Sequence, residues 1–289
     1  MARLGYVGLG IMGGPMARHL ATAKHSMTVY NRTTAKADTW VKQHGGARVL
    51  TPREVAQASD VVLMCVGNDD DVRSVVFGAD GILAGLKTGG ILVDHTTASA
   101  TIAREIADAC AKQGCGFVDA PVSGGQAGAE NGQLTIMCGS NDSATFDAIE
   151  PIIAAYAKRS KLLGTAGSGQ LAKMVNQICI AGIAQGLSEA LNFAMRAGLD
   201  PDDVVDVISK GAAQSWQMEN RAKTMVRNEF EFGFAVEWMR KDLGICFDEA
   251  SRNGAQLPMT EMVDKFYEEV VAMGGKRWDT SSLIARLTD

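Results

Sequence analysis

The sequence predicts an α/β domain with a parallel sheet, followed by an all-α domain that a long helix joins to it. Short apolar runs alternate with helical stretches in the N-terminal part of the chain, and no convincing strand follows the Gly-rich stretch at 164–169. A long helix is predicted over about 170–197, and further helices come after it. We therefore assign residues 1–164 to the α/β domain and residues 165–289 to the helical domain.

Seven short runs rich in Val, Ile and Leu predict the strands, because strands buried on both faces of a parallel sheet are almost continuously apolar. These runs are Leu4–Gly8, Met27–Tyr30, Val61–Val66, Ile91–Asp94, Phe117–Ala120, Leu134–Cys138 and Lys161–Leu163. The predicted helices are Pro52–Ala58, Asp69–Phe77 and Ala100–Lys112 and, in the second domain, 201–210, 216–227, 239–252 and 258–273. Strands that alternate with helices are typical of a doubly wound fold.

The composition excludes several classes of partner. The 289 residues carry a formal net charge of -5 without a basic stripe, so we expect no nucleic acid partner. Six scattered cysteines, without a CxxC pair or zinc spacing, indicate a reducing compartment and no metal. The N-terminus enters the first strand directly, so we expect a cytoplasmic protein without a secretory signal. Polar residues interrupt the apolar stretch 177–199, which therefore predicts a buried helix and no membrane span.

A glycine motif follows the first predicted strand. The segment Gly8-Leu9-Gly10-Ile11-Met12-Gly13 fits G-x-G-x-x-G and opens a helix. In this motif Gly8 permits a tight turn, Gly10 lets the backbone approach a pyrophosphate, and Gly13 lets the helix pack on the strand. The motif predicts a Rossmann-type dinucleotide-binding domain, with the phosphates at the helix N-terminus.

The residues after the second strand bear on the choice of cofactor. Many NAD-binding proteins place an acidic residue here to hold the ribose 2′-OH, but this chain has Asn31-Arg32-Thr33. The missing carboxylate removes repulsion toward a 2′-phosphate, and Arg32 supplies a cation for it. We therefore expect NADP to be preferred. The alternative is an exposed surface arginine in a protein that uses NAD or both cofactors.

Two further segments carry polar groups suited to catalysis. Ser123, with the N–H groups of Gly124 and Gly125, follows a strand and would form an anion nest or a plain turn. Lys173 lies near the start of the long helix, with two amides on the same face: Asn176 and Gln177. Desolvation lowers the pKa of a lysine toward neutrality, where it exchanges protons efficiently, but a helix-start lysine often points to water.

The histidines argue against two common dehydrogenase mechanisms. None of the four lies in the helical domain, so the chain offers no good His–carboxylate pair of the lactate or malate type. His95 follows a strand end and is expected to have a local structural role. The Cys and His ligands of a zinc-dependent alcohol dehydrogenase are also missing.

Four motifs occur together in the order found in the β-hydroxyacid dehydrogenases. They are the glycine motif at 8–13, Asp119-Ala120-Pro121-Val122-Ser123-Gly124-Gly125, Gly167-Ser168-Gly169 leading to Lys173, and Lys241-Asp242-Leu243. Over nearly its whole length the chain resembles this family, which includes 3-hydroxyisobutyrate dehydrogenase, tartronate semialdehyde reductase and the glyoxylate/succinic semialdehyde reductases. The resemblance implies hydride transfer between NADP(H) and a small β-hydroxyacid or its semialdehyde.

The resemblance also implies roles for individual residues. Lys173 would be the general acid in carbonyl reduction and the base in alcohol oxidation. The residues that would bind the substrate are Ser123, Gly124, Gly125, Asn176 and Gln177. Beyond the glycine motif and 31–33, the cofactor would be lined by Val66, Gly67, Thr97 and Lys241.

The match to the family pattern leaves some alternatives open. Some relatives carry Asn-Asn where this chain has Asn176-Gln177, so the sequence does not show which amide binds substrate. An acidic Glu237 precedes Lys241 in a region that would shape the pocket of an acid-binding enzyme. The alternatives are an NAD-dependent 3-hydroxyisobutyrate dehydrogenase, an imine reductase, which commonly lacks such a lysine, and a non-catalytic nucleotide-binding protein. The long apolar helix leads us to expect a homodimer or homotetramer.

Overall fold

The computed structural model describes residues 1–288 and divides into two compact units, Met1–Lys173 and a second unit that starts at Met174. The first unit holds a nine-stranded sheet. Its strands are β1 Arg3–Val7, β2 Ser26–Tyr30, β3 Ala47–Arg48, β4 Val61–Met64, β5 Ile91–Asp94, β6 Gly116–Asp119, β7 Val122–Ser123, β8 Leu134–Gly139 and β9 Ala157–Gly164. They lie in the order β3-β2-β1-β4-β5-β6-β8-β7, and β9 pairs with β8.

The helices of the first unit connect these strands. They are α1 Gly13–Thr22, α2 Thr34–His44, α3 Pro52–Gln57, α4 Asp69–Val76, α5 Ile82–Gly85, α6 Ala100–Lys112, α7 Gly125–Glu130 and α8 Ser143–Ile153. Local side chains fix several starts: Asn68 caps α4, Ser99 caps α6, and Asp142 caps α8. The long helix α9, Ser168–Arg196, begins in the first unit and continues into the second. The predicted Rossmann-type domain is therefore confirmed.

The prediction that all strands are parallel was wrong for one part of the sheet. Strands β1 to β6 are parallel where they pair, but β8 runs antiparallel to both β6 and β7. A parallel connection needs a crossover of about a dozen residues or more. Only residues 124–133, which include the short helix α7, separate β7 from β8. The chain therefore turns back on itself at this point.

Both faces of the sheet are buried by apolar side chains. Leu4 and Tyr6 of β1 belong to one core cluster, whereas Val7 belongs to the other. In β4, Leu63 lies in the first cluster and Met64 in the second. This alternation follows from the two-residue repeat of a strand, and it shows that helices cover both faces.

His95 is part of this interior. Its Nδ1 lies 2.7 Å from the Ala120 carbonyl oxygen, which can only accept, so Nδ1 carries a hydrogen. In the neutral ring Nε2 then accepts from the Tyr156 hydroxyl, 2.8 Å away. Burial favours the neutral imidazole and lowers the pKa of His95 to about 4. These contacts fit the structural role expected for His95.

The regular secondary structure of the second unit, within residues 174–288, is helical, apart from one isolated β-bridge between Ala235 and Asp279. After α9 it contains α10 Pro201–Ile208, α11 Trp216–Val226, α12 Val236–Asn253, α13 Pro258–Ala272 and α14 Ala285–Thr288, with 3-10 turns at Gly275–Arg277 and Thr280–Ile284. Asp200 caps α10 through the Asp202 N–H, and Pro201 occupies the first turn. The predicted all-α domain is confirmed.

Helix α9 is the one helix within residues 1–288 that is long and apolar enough to cross a membrane. Polar side chains along it are nevertheless bonded to other protein groups. Gln177 donates to the carboxylate of Asp242, and Ser188 donates to the Ala184 carbonyl oxygen. Such contacts are typical of the core helix of a protein, where buried polar groups require partners.

Candidate functional site

The glycine motif forms the turn between β1 and α1. Gly8 has a φ of +94°, and a Cβ there would overlap the Cys65 carbonyl oxygen. A Cβ at Gly13 would overlap the carbonyl oxygen of Gly8. At Gly10, by contrast, no protein atom lies within 4 Å of the place a Cβ would take. The fold itself thus requires Gly8 and Gly13, whereas Gly10 borders open space where a pyrophosphate could approach the start of α1.

The three residues after β2 have different contacts. The Asn31 side-chain oxygen accepts the Leu9 N–H at 2.9 Å, and its NH₂ group donates to the Thr33 carbonyl oxygen at 3.0 Å. Asn31 therefore holds the glycine motif in place from the neighbouring strand. Arg32 is 84% exposed and forms an ion pair with Asp71 at 3.0 Å. Because this pair is solvated, it contributes little stability and leaves the guanidinium accessible.

The ends of β4 and β5 are tied together beside this turn. The Val66 N–H donates to the Thr96 hydroxyl at 3.0 Å, and the Thr96 N–H donates to the Asp94 carboxylate at 2.8 Å. Burial raises the pKa of Asp94 to about 7, and one of its oxygens has no hydrogen-bond partner. Asp94 and Thr96 thus fix the backbone at Val66, one of the residues predicted to line the cofactor.

The turn at residues 123–125, where β7 ends and α7 begins, is called the Ser123 loop and has two successive glycines with positive φ. Gly124 has a φ of +132° and Gly125 a φ of +60°, both in the region that side chains disfavour. The space beside Gly125 is open for at least 4 Å. Ser123 immediately precedes this pair, so a hydroxyl and successive N–H groups lie within one short loop. Such a loop is suited to an anion.

Lys173 is buried in the first turns of α9, with only 8% of its surface exposed. Asn176 follows three residues later and is therefore a neighbour on the same face of the helix. Lysine is rarely buried to this degree unless its charge has a partner or its pKa falls. The lysine proposed from the sequence is therefore a buried one, and not the solvated one that the sequence alone also allowed.

In the second unit, a chain of polar contacts runs from α9 to α12. Asn176 donates to the Gln177 side-chain oxygen at 2.7 Å, and Gln177 donates to Asp242 at 2.6 Å. The other Asp242 oxygen lies 3.0 Å from the Lys241 ammonium. Both polar ends of Gln177 are therefore engaged by protein groups. Sequence reasoning assigned no role to Asp242, and the only signal for one was its place inside the Lys-Asp-Leu motif.

Four of the six cysteines in residues 1–288 are buried, whereas Cys179 is exposed. That part of the chain contains no group of three side chains able to hold a metal ion. Burial raises the pKa of the Cys110, Cys138 and Cys246 thiols to about 12, so they are protonated and unreactive at neutral pH.

Two family models together match almost the whole chain. Residues 3–167 match the NAD binding domain of 6-phosphogluconate dehydrogenase. Residues 167–287 match the model described as NAD-binding of NADP-dependent 3-hydroxyisobutyrate dehydrogenase. The two matches meet just before α9, and they agree with the predicted nucleotide-binding fold.

Relatives and solved structures point to the same group of proteins. An uncharacterized oxidoreductase of Shewanella frigidimarina is 61% identical over 99% of this chain and 98% of its own length. The 2-hydroxy-3-oxopropionate reductase of Escherichia coli is 35% identical over 99% of this chain and 97% of its own. The structure of Mycobacterium tuberculosis 3-hydroxyisobutyrate dehydrogenase with L-serine has a TM-score of 0.90 at 28% identity, with complete coverage of both chains.

The open space at Gly10 gives a test of the nucleotide site. We expect Gly10→Ala to keep the thermal stability of the wild type, because the added methyl group meets no protein atom. The same methyl group should raise the Kd for NADPH, measured by fluorescence titration, at least about 10-fold, since it would displace the pyrophosphate. Gly211→Ala, an exposed position in the second unit, serves as the control and should change neither quantity. Wild-type affinity in Gly10→Ala would show that the cofactor does not approach this residue.

Proposed function

Because this chain belongs to the β-hydroxyacid dehydrogenase family, we propose that it interconverts a small β-hydroxyacid and its semialdehyde with NADP(H), using Lys173 as the general acid and base. It is an NAD(P)-dependent oxidoreductase that acts on CH–OH groups. The observation that supports the mechanism most directly is a buried lysine in the same compact unit as the glycine motif and the Ser123 loop.

The proposed substrate class is based on the molecules that the relatives bind or convert. A 2-hydroxy-3-oxopropionate reductase acts on a short acid with an aldehyde at carbon 3, and the M. tuberculosis enzyme was solved with L-serine, which carries a hydroxyl at carbon 3. These molecules share a carboxylate and an oxygen two carbons away from it. We infer that the Ser123 hydroxyl and the N–H groups of Gly124 and Gly125 hold the carboxylate of such a substrate.

Lys173 supplies the proton in this mechanism. NADPH, when bound, supplies the hydride to the carbonyl carbon. The Lys173 ammonium donates a proton to the carbonyl oxygen as it becomes a hydroxyl, and the neutral amine takes a proton back in the oxidation direction. Few waters reach a side chain that is 8% exposed, so competing proton exchange with solvent is limited.

The contacts on α9 distinguish the two neighbouring amides. Gln177 is 2% exposed and bonded at both ends, to Asn176 and to Asp242. We therefore assign substrate orientation to Asn176 and support of Asn176 to Gln177. Asp242 in turn holds the ammonium group of Lys241, which we propose to contact the nicotinamide part of the cofactor.

We propose that NADP is preferred over NAD through Arg32. The amide of Asn31 is engaged by backbone groups, and no carboxylate takes its place at the end of β2 to hold a ribose 2′-OH. Arg32 pairs with Asp71 in a solvated contact. A 2′-phosphate could take the place of Asp71, because it carries two negative charges and can accept two hydrogen bonds from the guanidinium. Thr33 lies beside it at the start of α2.

We also propose a homodimer or homotetramer in the cytoplasm. The second unit exposes large apolar side chains on two helices: Val175, Ile183 and Phe193 of α9 with Met259 and Met262 of α13. Phe193 alone is 72% exposed. Apolar surface of this kind is typical of a face that another subunit covers. No disulfide links the six cysteines within residues 1–288, which supports a reducing compartment.

The role of Lys173 is tested by its removal. We expect Lys173→Ala to lower kcat by a factor on the order of 10² to 10⁴, the usual contribution of general acid catalysis, in assays with C3–C5 semialdehydes. The Kd for NADPH should stay within about twofold, because a proton donor adds little to cofactor binding. Lys112→Ala, an exposed lysine at the end of α6, should leave both values unchanged. A Lys173→Ala enzyme that keeps most of its kcat would rule out the proposed mechanism.

Cofactor choice is tested at Arg32. Arg32→Gln should raise KM for NADPH about 10-fold or more, the value of a lost charge-assisted pair with phosphate, and leave KM for NADH within about twofold. The measurement is a comparison of both cofactors at saturating substrate. Equal KM values for NADPH and NADH in the wild type would instead support the alternative of an NAD-using 3-hydroxyisobutyrate dehydrogenase.

The oligomeric state is tested by sedimentation at micromolar concentration. We expect the wild type to sediment as a species larger than the 30.6 kDa monomer. Phe193→Asp should shift it toward the monomer, because a charge would be buried in the interface. Leu50→Asp, a change at an exposed leucine of the first unit, should not. A wild type that is entirely monomeric contradicts the proposal.

A further inference from the structure

We propose that Asp119 is a positioning residue for Lys173, because its buried carboxylate fixes the first turn of the helix that carries this lysine. Asp119 is the last residue of β6 and is 0% exposed. The inference depends on the proposed role of Lys173, and it assigns a task to a residue outside the substrate and cofactor sets described above.

The carboxylate bonds to both sides of the start of α9. One oxygen accepts the Gly167 N–H at 2.7 Å, and the other accepts the Gln170 N–H at 2.9 Å. Because α9 begins at Ser168, these N–H groups belong to the turn that has no partners within its own helix. Asp119 therefore caps α9 from a strand that is distant in sequence, whereas the usual cap is the residue just before the helix.

Two glycines make this close approach sterically feasible. A Cβ at Gly169 would lie 2.8 Å from the second Asp119 oxygen and would overlap the Met137 carbonyl oxygen. A Cβ at Gly139 would lie 2.5 Å from the first Asp119 oxygen. The Gly-Ser-Gly motif before Lys173 is thus explained in part by the space that the carboxylate needs.

Gln170 connects the same turn to a further part of the site. Its side-chain oxygen accepts the Ala98 N–H at 3.0 Å, and its NH₂ group donates to the Thr96 carbonyl oxygen at 2.8 Å. Gln170 is 1% exposed and belongs to the turn that Asp119 caps. The segment it holds contains Thr97, which is expected to line the cofactor. Asp119 and Gln170 thus tie the first turn of α9 to the segment 96–98.

A charged residue at position 119 has a role in addition to stabilising the fold. Burial raises the pKa of Asp119 to about 6, although the N–H groups of Gly167 and Gln170 favour the charged form. A carboxylate that is difficult to bury gives two strong, directional acceptors from one side chain. Lys173 follows Gln170 by three residues, on the same face of α9. Rotation or translation of the first turn would therefore move the lysine directly.

The test is Asp119→Asn, which keeps the shape of the side chain but turns one acceptor into a donor facing an N–H group. We expect kcat to fall about 30- to 100-fold, the effect of a misplacement of about 1 Å, while the Kd for NADPH changes less than about twofold. Asp142→Asn is the control for loss of a capping carboxylate, because Asp142 is the ordinary N-cap of α8 and contacts no proposed site segment. It should leave kcat unchanged.

Several results would overturn the inference. A purely structural role predicts a lower melting temperature in Asp119→Asn with unchanged kcat for the folded enzyme. If Asp119→Asn does not fold, Asp119→Ser decides, because its hydroxyl can accept only one of the two N–H groups: a lower kcat with retained NADPH binding supports positioning, and unchanged kcat contradicts it. The Lys173→Ala enzyme distinguishes a failure of this inference from a failure of the proposed mechanism. If Lys173→Ala is inactive while Asp119→Asn, or Asp119→Ser in its place, keeps wild-type kcat, only this inference fails. If Lys173→Ala stays active, the proposed mechanism itself fails.

Discussion

The register of the parallel strands brings the segments with proposed roles together at the carboxyl ends of neighbouring strands. Val7 of β1 pairs with Met64 of β4, Met64 pairs with Asp94 of β5, and Asp94 pairs with Asp119 of β6. Each of these strand ends leads directly into a segment with a proposed role, from the glycine motif to the Ser123 loop. Slippage of one strand by a single residue would turn its side chains to the opposite face and displace the segment that follows. The relative positions of these segments are therefore determined by the strand register.

Hydrophobic periodicity was sufficient to predict most of the first unit. The bounds predicted for Ile91–Asp94 and Ala100–Lys112 agree with β5 and α6 to the residue. Helices α2 and α8 were not predicted. Helix α2 buries only Ala37 and Trp40, whereas Phe146, Ile149 and Ile153 of α8 do lie at helical spacing and were overlooked. The reversed direction of β8 could not be derived from its apolar run, since a buried strand has the same pattern in either direction. Direction depends on the connection, and the short helix α7 was not recognised.

Some of the candidate site residues could be predicted from local sequence, whereas others depend on tertiary contacts. The glycine motif could be predicted from the sequence because each glycine is needed for the local backbone geometry. Lys173 could be proposed because it follows a recognisable motif. Asp119 was missed because burial and bonding to a helix start 48 residues later are properties of the folded chain. Asn176 and Gln177 are adjacent, about 100° apart around the helix, and sequence alone could not decide which of them is engaged by Asp242.

The acidic side chains in the motifs with proposed roles each have partners close to them. Glu237 is an acidic residue that was not expected in an enzyme for acids. It forms ion pairs with Arg277 and Lys276, and the hydrogen bond from Arg277 lowers its pKa. Asp242 is matched by Lys241 and Gln177, and Asp119 by the N–H groups that open α9. Each acidic side chain in these motifs thus has its own donors. A substrate carboxylate held at Ser123, as proposed, would then meet no uncompensated negative charge from Asp119, which lies four residues before it.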